Sequence, residues 1–301
     1  MFGKKRNQAK VNEPVDSKPQ GNILGNQIET IRDPIGRVKA SPNYRGGIAL
    51  LAKKVQPLET DKTKYEEAEE ICPSKAIKII ETDGKKPNQV TLDRGKCILC
   101  GRCQEAAPDL FKVDSLFMPS TKKRQDLVES FYSEPALIEN KSYEKIGREL
   151  KDKVSKILGR SLAVRELDAG SCNGCEVEIT ALNNPVYDIE RFGIHFVASP
   201  RHADVLLITG PASRNMEVAL KRTYEATPDP KIVVAVGACG CSGGIFGDTY
   251  ATTGGIDKVV PVDVYIPGCP PRPEAILYGL LLAVDRIRPE VKEQDSEVRK
   301  I

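Results

Sequence analysis

Three short cysteine-containing stretches constrain the second half of the chain more than any other feature. They begin at Gly170, Gly237 and Gly268 and read GSCNGC, GACGC and GCPPRP. Each follows an apolar run that is typical of a buried strand, at residues 162–167, 232–236 and 262–266. In an open parallel sheet, ligands bind outside the carboxyl ends of the strands. We therefore expect four or five thiols at one sheet edge, a density that selects zinc or an iron–sulfur cluster.

The composition of the chain indicates which kind of chemistry these thiols carry out. The chain has 301 residues, nine of them cysteine, and a formal net charge of +3, which gives no indication of a nucleic-acid partner. Its first residues, MFGKKRN, lack the apolar core of a signal peptide, and the apolar stretch 275–284 is too short to span a bilayer. We expect a cytoplasmic chain of two domains, in which so many cysteines favour metal or redox chemistry over disulfides.

A second cysteine pattern lies within residues 45–118. Cys97, Cys100 and Cys103 have the C-x2-C-x2-C spacing of a bacterial ferredoxin run. Upstream, Cys72 is followed by proline, as at the end of another such run. The segment therefore carries parts of two ferredoxin runs.

The cysteines that are missing decide how many clusters this segment could hold. In two-cluster ferredoxins the fourth cysteine of each run binds the other cluster, so Cys72 completes the set of the three retained cysteines. The second set would need cysteines at four positions that are occupied here by Lys62, Tyr65, Ala68 and Ala107. The segment resembles a bacterial-type ferredoxin domain, of α+β fold, with a single 4Fe–4S cluster. A structural zinc site on the same four thiolates is the alternative.

The remaining segments flank or connect these domains. Residues 1–44 are polar and are predicted to form a flexible N-terminal tail, and residues 289–301 a polar C-terminal tail. A helical connector is predicted for residues 119–160. Its apolar residues recur at helical spacing: Ile146, Leu150, Val154 and Ile157. We expect this stripe to pack on its own domain, and a stripe that faces a partner or a membrane surface is the alternative.

Residues 161–288 alternate between predicted strands and helices. The predicted strands are residues 162–167, 193–198, 204–209, 232–236 and 262–266. The predicted helices are residues 176–183, 215–226 and 273–287. This alternation is typical of βαβ units, so we expect an α/β domain with a flavodoxin-like parallel sheet. The glycines beside the cysteines would let the main chain approach a cluster closely and donate N–H groups to its sulfurs.

Four stretches of this domain carry a family resemblance. They are residues 168–178, residues 199–204, residues 237–246 and residues 261–273, which read DAGSCNGCEVE, SPRHAD, GACGCSGGIF and PVDVYIPGCPPRP. On these motifs, residues 160–288 resemble the small subunit of membrane-bound, energy-converting nickel–iron hydrogenases. They also resemble, less closely, the homologous subunit of respiratory complex I. The resemblance implies a proximal 4Fe–4S cluster bound by Cys172, Cys175, Cys239 and Cys269, with Cys241 as an alternative to Cys239.

One spacing separates the two relatives. Two residues lie between Cys172 and Cys175, as in hydrogenases and in related sulfur-reducing complexes, whereas the complex I subunit carries adjacent cysteines. The resemblance therefore implies an electron-transfer oxidoreductase subunit with two 4Fe–4S clusters, whose nickel–iron centre lies in a separate large subunit. Further iron–sulfur and membrane subunits are implied as partners, with the chain peripheral on the inner face of the cell membrane. The alternatives are a quinone- or sulfur-linked oxidoreductase and a non-catalytic zinc-bound assembly module.

Four other side chains are weaker candidates. Glu176 and Glu178 follow the first motif, where they could relay protons or only complement the dipole at a helix N-terminus. His195 lies in a predicted strand and is expected to be structural. His202 belongs to the SPRHAD stretch, where we expect a structural or interface role rather than a ligand role.

Overall fold

The computed structural model describes residues 46–51, 62–80, 89–114, 118–130 and 143–285. The predicted tails, residues 1–44 and 289–301, lie outside the described residues. So does the end of the helix predicted for residues 273–287.

The N-terminal region is an α+β arrangement, as predicted. Its elements are β1 (Gly47–Leu50), α1 (Lys62–Glu70), β2 (Ile77–Ile80), β3 (Gln89–Asp93), α2 (Arg102–Ala106), β4 (Phe111–Asp114) and β5 (Val128–Ser130). Strands β1 and β4 pair antiparallel, and β2, β3 and β5 form a second antiparallel sheet in that order. Strand β5 follows residue 118, so the segment predicted as a helical connector also contributes a strand to this region.

The second region is built on a parallel sheet of five strands. They are β6 (Leu162–Asp168), β7 (Ile194–Phe196), β8 (Val205–Thr209), β9 (Ile232–Val236) and β10 (Val264–Ile266). The spatial order is β7-β6-β8-β9-β10, and every neighbouring pair is parallel. Counted along the chain this is the 2-1-3-4-5 order of flavodoxin-like sheets. Strands β8 and β9 are buried along their whole length, as the near-continuous apolar sequences of covered parallel strands require. The predicted fold class is confirmed.

The helices around this sheet bury their apolar faces against it. They are α3 (Tyr143–Leu158), α4 (Gly174–Ala181), α5 (Arg214–Ala226), α6 (Gly237–Ser242) and α7 (Pro273–Val284). In α3 the predicted stripe of Ile146, Leu150 and Val154 is buried in the same core as β6 and α7, and Ile157 packs at its edge. The stripe therefore packs on its own domain, as expected, rather than facing a partner.

The two regions contact each other beside β10. The main chain of Thr121 pairs with that of Tyr265 through two hydrogen bonds, of 3.0 and 2.8 Å. Leu127, from the N-terminal region, packs into the core that includes Leu206 and Cys241 of the sheet domain. The fold thus brings the N-terminal region against the side of the sheet that carries α6.

Candidate metal centres

The first group of thiols surrounds one small cavity. Its lining includes all four predicted ligands of the N-terminal region: Cys72, Cys97, Cys100 and Cys103. The rest of the lining is largely apolar and includes Ile48, Ile77 and Leu92. Among the described residues, no three His, Cys, Asp or Glu side chains converge closely enough to hold one metal ion. The four thiols line this cavity together.

Burial disfavours the thiolate form of two thiols of this cavity, Cys97 and Cys103. It raises the pKa of Cys97 to about 12 and that of Cys103 to about 11, and the neighbouring thiols add to both shifts. Because iron and zinc bind thiolates, cations in the cavity would have to offset this cost. The main-chain N–H of Ala76 donates to Cys72 Sγ at 3.3 Å, a contact of the kind that tunes cluster sulfurs. Four thiols around an apolar cavity with a backbone donor fit a 4Fe–4S cluster.

The positions of the missing cysteines are filled by packing. Ala68 on α1 and Ala107 after α2 are both buried in the core that contains Cys97 and Cys103. The side chains of Lys62 and Tyr65 lie outside the described residues. At the two positions that the structure does describe, apolar contacts replace a ligand.

The second group of thiols stands at the carboxyl edge of the parallel sheet. Cys172 and Cys175 follow β6, Cys239 lies in α6 just after β9, and Cys269 follows β10. The N–H of Ala238 donates to Gly268 O at 2.7 Å, which ties the second motif to the third. Sheets of this order bind ligands outside the carboxyl ends of their strands, and the β6–β8 boundary is the topological switch point, where the first motif follows β6.

Two glycines let the main chain lie directly against these sulfurs. Gly237 has a φ of +80°, and a Cβ there would lie 2.6 Å from Cys175 Sγ. Gly244 has a φ of +55°, and a Cβ there would lie 3.0 Å from Cys239 Sγ. Glycine is therefore favoured at both positions for two reasons. The positive φ disfavours any other residue, and the adjacent sulfur leaves no space for a Cβ.

The electrostatics of the second group show that its four thiols interact. Burial raises the pKa of Cys239 to about 11, with further contributions from Cys269, Cys172 and Glu176. The pKa of Cys175 is also raised, mainly by burial. The charge of Glu176 is the next largest cause, and the other three thiols add smaller contributions. Cys172 and Cys269 are exposed, so this group lies open at the protein surface. The donor set again fits an iron–sulfur cluster, at a site with one uncovered side.

Cys241 points away from this group. It is 1% exposed, packs among Leu206, Ile208 and Ala235, and its Sγ donates to Ala235 O at 3.9 Å. The two cysteines of α6 thus face opposite ways, because a separation of two residues on a helix turns side chains to different sides. The structure supports Cys239, and not Cys241, as the thiol of α6 that joins the group.

The two candidate glutamates lie at the start of α4. Glu176 accepts a hydrogen bond from the Thr209 hydroxyl, and its Oε2 is buried without a hydrogen-bond partner in the described residues. Burial raises the pKa of Glu178, as does nearby Glu274, while Arg272 opposes the shift. Glu176 lines a cavity with Arg165, whereas Glu178 lies near Glu274 and Arg272 and does not line that cavity.

Sequence reasoning missed another residue of the cavity that Glu176 lines. Glu166 lies on β6 and lines a cavity with Glu176 and Arg165. Burial raises the pKa of Glu166, and the charge of Glu176 adds to the shift. The adjacent charged pair Arg165-Glu166 within the strand sequence LAVRELD was the available signal. Of the histidines, His195 lies in β7 and His202 is exposed in the turn Pro200–His202.

No helix within the described ranges is both long enough and apolar enough to cross a membrane.

Two family models match the chain. The model described as "NADH ubiquinone oxidoreductase, 20 Kd subunit" matches residues 172–283, which include all four thiols of the second group. The model described as "4Fe-4S single cluster domain" matches residues 90–145, which include Cys97, Cys100 and Cys103.

Curated relatives match between two fifths and one half of the chain at high identity. "Probable membrane-bound hydrogenase subunit mbhJ" of Pyrococcus furiosus is 51% identical over 137 residues, 46% of this chain and 82% of the relative. "Formate hydrogenlyase subunit 7" of Escherichia coli is 52% identical over 157 residues, 50% of this chain and 62% of the relative. A relative from Citrifermentans bemidjiense, named as a subunit of NADH-quinone oxidoreductase, is 55% identical over 124 residues, 41% of this chain and 72% of the relative.

Proposed function

We infer the function from one premise: the chain belongs to the family of the 20 kDa subunit of NADH ubiquinone oxidoreductase. We propose that it is the electron-transfer small subunit of a multisubunit nickel–iron hydrogenase. In this proposal the nickel–iron centre lies in a separate large subunit, and each group of four cysteines in this chain holds one 4Fe–4S cluster.

The spacing of the first motif carries the choice of hydrogenase. Cys172 and Cys175 are separated by two residues, and α4 begins between them at Gly174, after Asn173 in the left-handed conformation. This turn places both thiols on the same sheet edge as Cys239 and Cys269. Adjacent cysteines, as in the resembling subunit of complex I, would need a different turn at this position.

The chain's own residues would bind and shield the two clusters. A 4Fe–4S cluster, when bound, supplies a one-electron redox centre whose potential depends on hydrogen bonds and burial. Around the first group, Ile48, Ile77 and Leu92 exclude water. Around the second group, Gly237 and Gly244 bring main-chain atoms against the sulfurs. We assign Glu176 and Glu178, beside the second group, to a proton relay.

The open side of the second group supports a partner at that edge. Cys172 and Cys269 are exposed, as are Val177, Ile245 and Phe246 nearby in the sequence motifs. A large catalytic subunit that covers this edge would bury the apolar side chains and exclude water from the site. Two matched relatives are named as subunits of a membrane-bound hydrogenase and of formate hydrogenlyase. We therefore propose a cytoplasmic chain that is attached to the inner face of the membrane through partner subunits.

A quinone- or sulfur-linked oxidoreductase is the second candidate. It is favoured by the identity of 55% with a relative named as a subunit of NADH-quinone oxidoreductase. Both cluster assignments would be the same in such a complex, and the last electron acceptor would differ. The spacing of Cys172 and Cys175 argues against the quinone-linked form alone.

The experiment that tests the proposal is anaerobic purification of the intact complex through this chain. Nickel, iron and sulfide are then measured together with hydrogen-dependent dye reduction. Nickel with hydrogen activity is the expected result. Iron and sulfide without nickel would contradict the hydrogenase proposal and favour the quinone- or sulfur-linked oxidoreductase. Zinc without sulfide would overturn both and leave a zinc-bound assembly module.

A further inference from the structure

Two side chains cross the boundary between the core that holds the first group of thiols and the core beside the second. Arg124 Nε donates to Cys241 O at 2.8 Å, from the N-terminal region to α6. Ser242 Oγ donates in the opposite direction, to Gly95 O at 2.7 Å. Both bonds are partly buried, so water competes weakly for their partners.

Arg124 bonds to both regions at the same time. Besides its bond to α6, its NH2 group lies 2.7 Å from Asp93 Oδ2 at the end of β3. The other oxygen of Asp93 accepts the N–H of Gly95 at 3.0 Å. Because a guanidinium is a rigid planar fork, these bonds fix the direction between β3 and α6 as well as the distance.

The guanidinium of Arg124 occupies the space where a side chain on residue 95 would lie. A Cβ on Gly95 would lie 2.8 Å from Arg124 Cζ and 2.9 Å from Leu127 Cδ1. Both distances are shorter than real Cβ contacts, so the glycine lets the main chain lie directly under the side chain. The contact is therefore closely packed rather than a loose surface ion pair.

These bonds join the two short segments that carry a thiol from each group. Gly95 lies two residues before Cys97, and Ser242 lies three residues after Cys239. The Ser242 hydroxyl also lies 3.1 Å from Ala238 O, which holds it against α6. A displacement at this contact would move one thiol of the first group relative to one of the second.

We propose that Arg124 and Ser242 are positioning residues that fix the separation of the two groups of thiols for electron transfer between them. The inference rests on the proposed function, in which both groups hold a redox centre. One electron leaves one centre and arrives at the other, and no bond forms or breaks. Electron tunnelling slows exponentially with the distance between two centres, so a displacement of either group lowers the rate.

The test uses the intact complex with Ser242→Ala or Arg124→Gln. Iron and sulfide content, the magnetic interaction between the two reduced centres, and electron transfer between them are measured. Hydrogen exchange is followed in residues 94–97 and 239–244. Iron and sulfide are expected to stay unchanged, while the magnetic interaction weakens, hydrogen exchange in both segments accelerates and electron transfer slows severalfold.

Two further variants separate geometry from charge. Arg124→Lys keeps the charge but loses the planar fork, so its effect is expected to match that of Arg124→Gln. Arg160→Gln is the matched control, because it breaks the 2.6 Å pair with Asp204 inside the sheet domain. This control is expected to leave the magnetic interaction unchanged. Wild-type behaviour of Arg124→Lys would overturn the geometric role of Arg124.

The outcomes also separate this inference from the function on which it rests. If the wild-type complex shows two interacting centres and Ser242→Ala leaves their interaction and the exchange rates unchanged, the positioning role is wrong. If the wild-type complex lacks two iron–sulfur centres, the proposed function fails first. Ser242→Ala removes a single hydroxyl, so its result can be read even if an Arg124 variant assembles poorly.

Discussion

The two groups of thiols differ in how much of their surroundings the chain itself supplies. The first lies within 32 residues of sequence, from Cys72 to Cys103, and lines a cavity in its own apolar core. The second gathers thiols from three separate strand ends, and Cys172 and Cys269 remain exposed. The first group is thus enclosed by its own domain, whereas the second is an edge that a partner can complete. The difference makes the second group the one whose exposed thiols a partner could cover.

The largest expected effect comes from removing one ligand of the open group. Cys172→Ser in the intact complex should abolish the second centre and lower hydrogen turnover by more than about 100-fold, since outer-shell changes alone cost about 10–100-fold. Cys241→Ala is the matched control, because that thiol faces the core. Iron analysis and hydrogen-dependent dye reduction measure both. Intact turnover in Cys172→Ser would contradict the ligand assignment.

The next test concerns a second difference between the two groups, the carboxylates beside the second one. No carboxylate contributes to the pKa shifts of Cys97 and Cys103 in the first group. Glu176→Gln should lower hydrogen turnover by about 100-fold with iron unchanged, the size typical of a lost acid–base group. Glu217→Gln, which removes a surface ion pair with Lys221, is the control. Unchanged turnover would reduce Glu176 to an acid that complements the start of α4.

Replacing a glycine beside the second group should have a smaller effect. Comparing two glycines separates the cost of a strained backbone from the cost of a clash with a sulfur atom. Gly237 and Gly193 have φ values of +80° and +76°, but only Gly237 would place a Cβ against a thiol, that of Cys175. Replacement by Ala should cost about 1–2 kcal/mol of folding free energy at either position. Only Gly237→Ala should also lower the iron content of the second group severalfold. Equal iron contents in the two variants would show that the main chain near Cys175 shifts enough to accommodate the added Cβ without loss of the cluster.

The last test leaves turnover aside and measures the order of thiol modification in the iron-free full chain. The rise of the Cys103 pKa to about 11 lowers its thiolate fraction at pH 8 by about 100-fold relative to an unburied thiol. Cys172 and Cys269 are exposed and should be alkylated first, with Cys97, Cys103 and Cys241 last. Mass spectrometry of timed samples gives the order. Early labelling of Cys97 would mean that the first group is not enclosed without its cluster.

The sheet and its order could be predicted because apolar runs and strand-end cysteines are local signals. All five strands of the sheet domain lie where the sequence predicts them, although β7 is limited to Ile194–Phe196 and β10 to Val264–Ile266. Helix α6 was not predicted, since its sequence GACGCS is rich in residues of low helix propensity. Packing between β9, β10 and the 3-10 turn Ile256–Lys258 imposes that helix instead.

The orientation of side chains was less predictable than the placement of strands. The sequence left Cys239 and Cys241 open as alternatives, because both lie beside the same strand end. Only the turn of α6 separates them. Arg124 has no local signal at all: it lies in a polar connector sequence, and its partners are a carbonyl 117 positions away and Asp93. Contacts of this kind depend on the tertiary arrangement of two domains, which periodicity does not report.

The contact made by Arg124 and Ser242 has an evolutionary consequence. Each side chain reaches across to a main-chain carbonyl, of Cys241 and Gly95 respectively. A carbonyl is present whatever residue carries it, so most substitutions on either face would leave the bonds intact. The two regions could therefore change in sequence while they stayed aligned, provided that Gly95 and the two donors persisted.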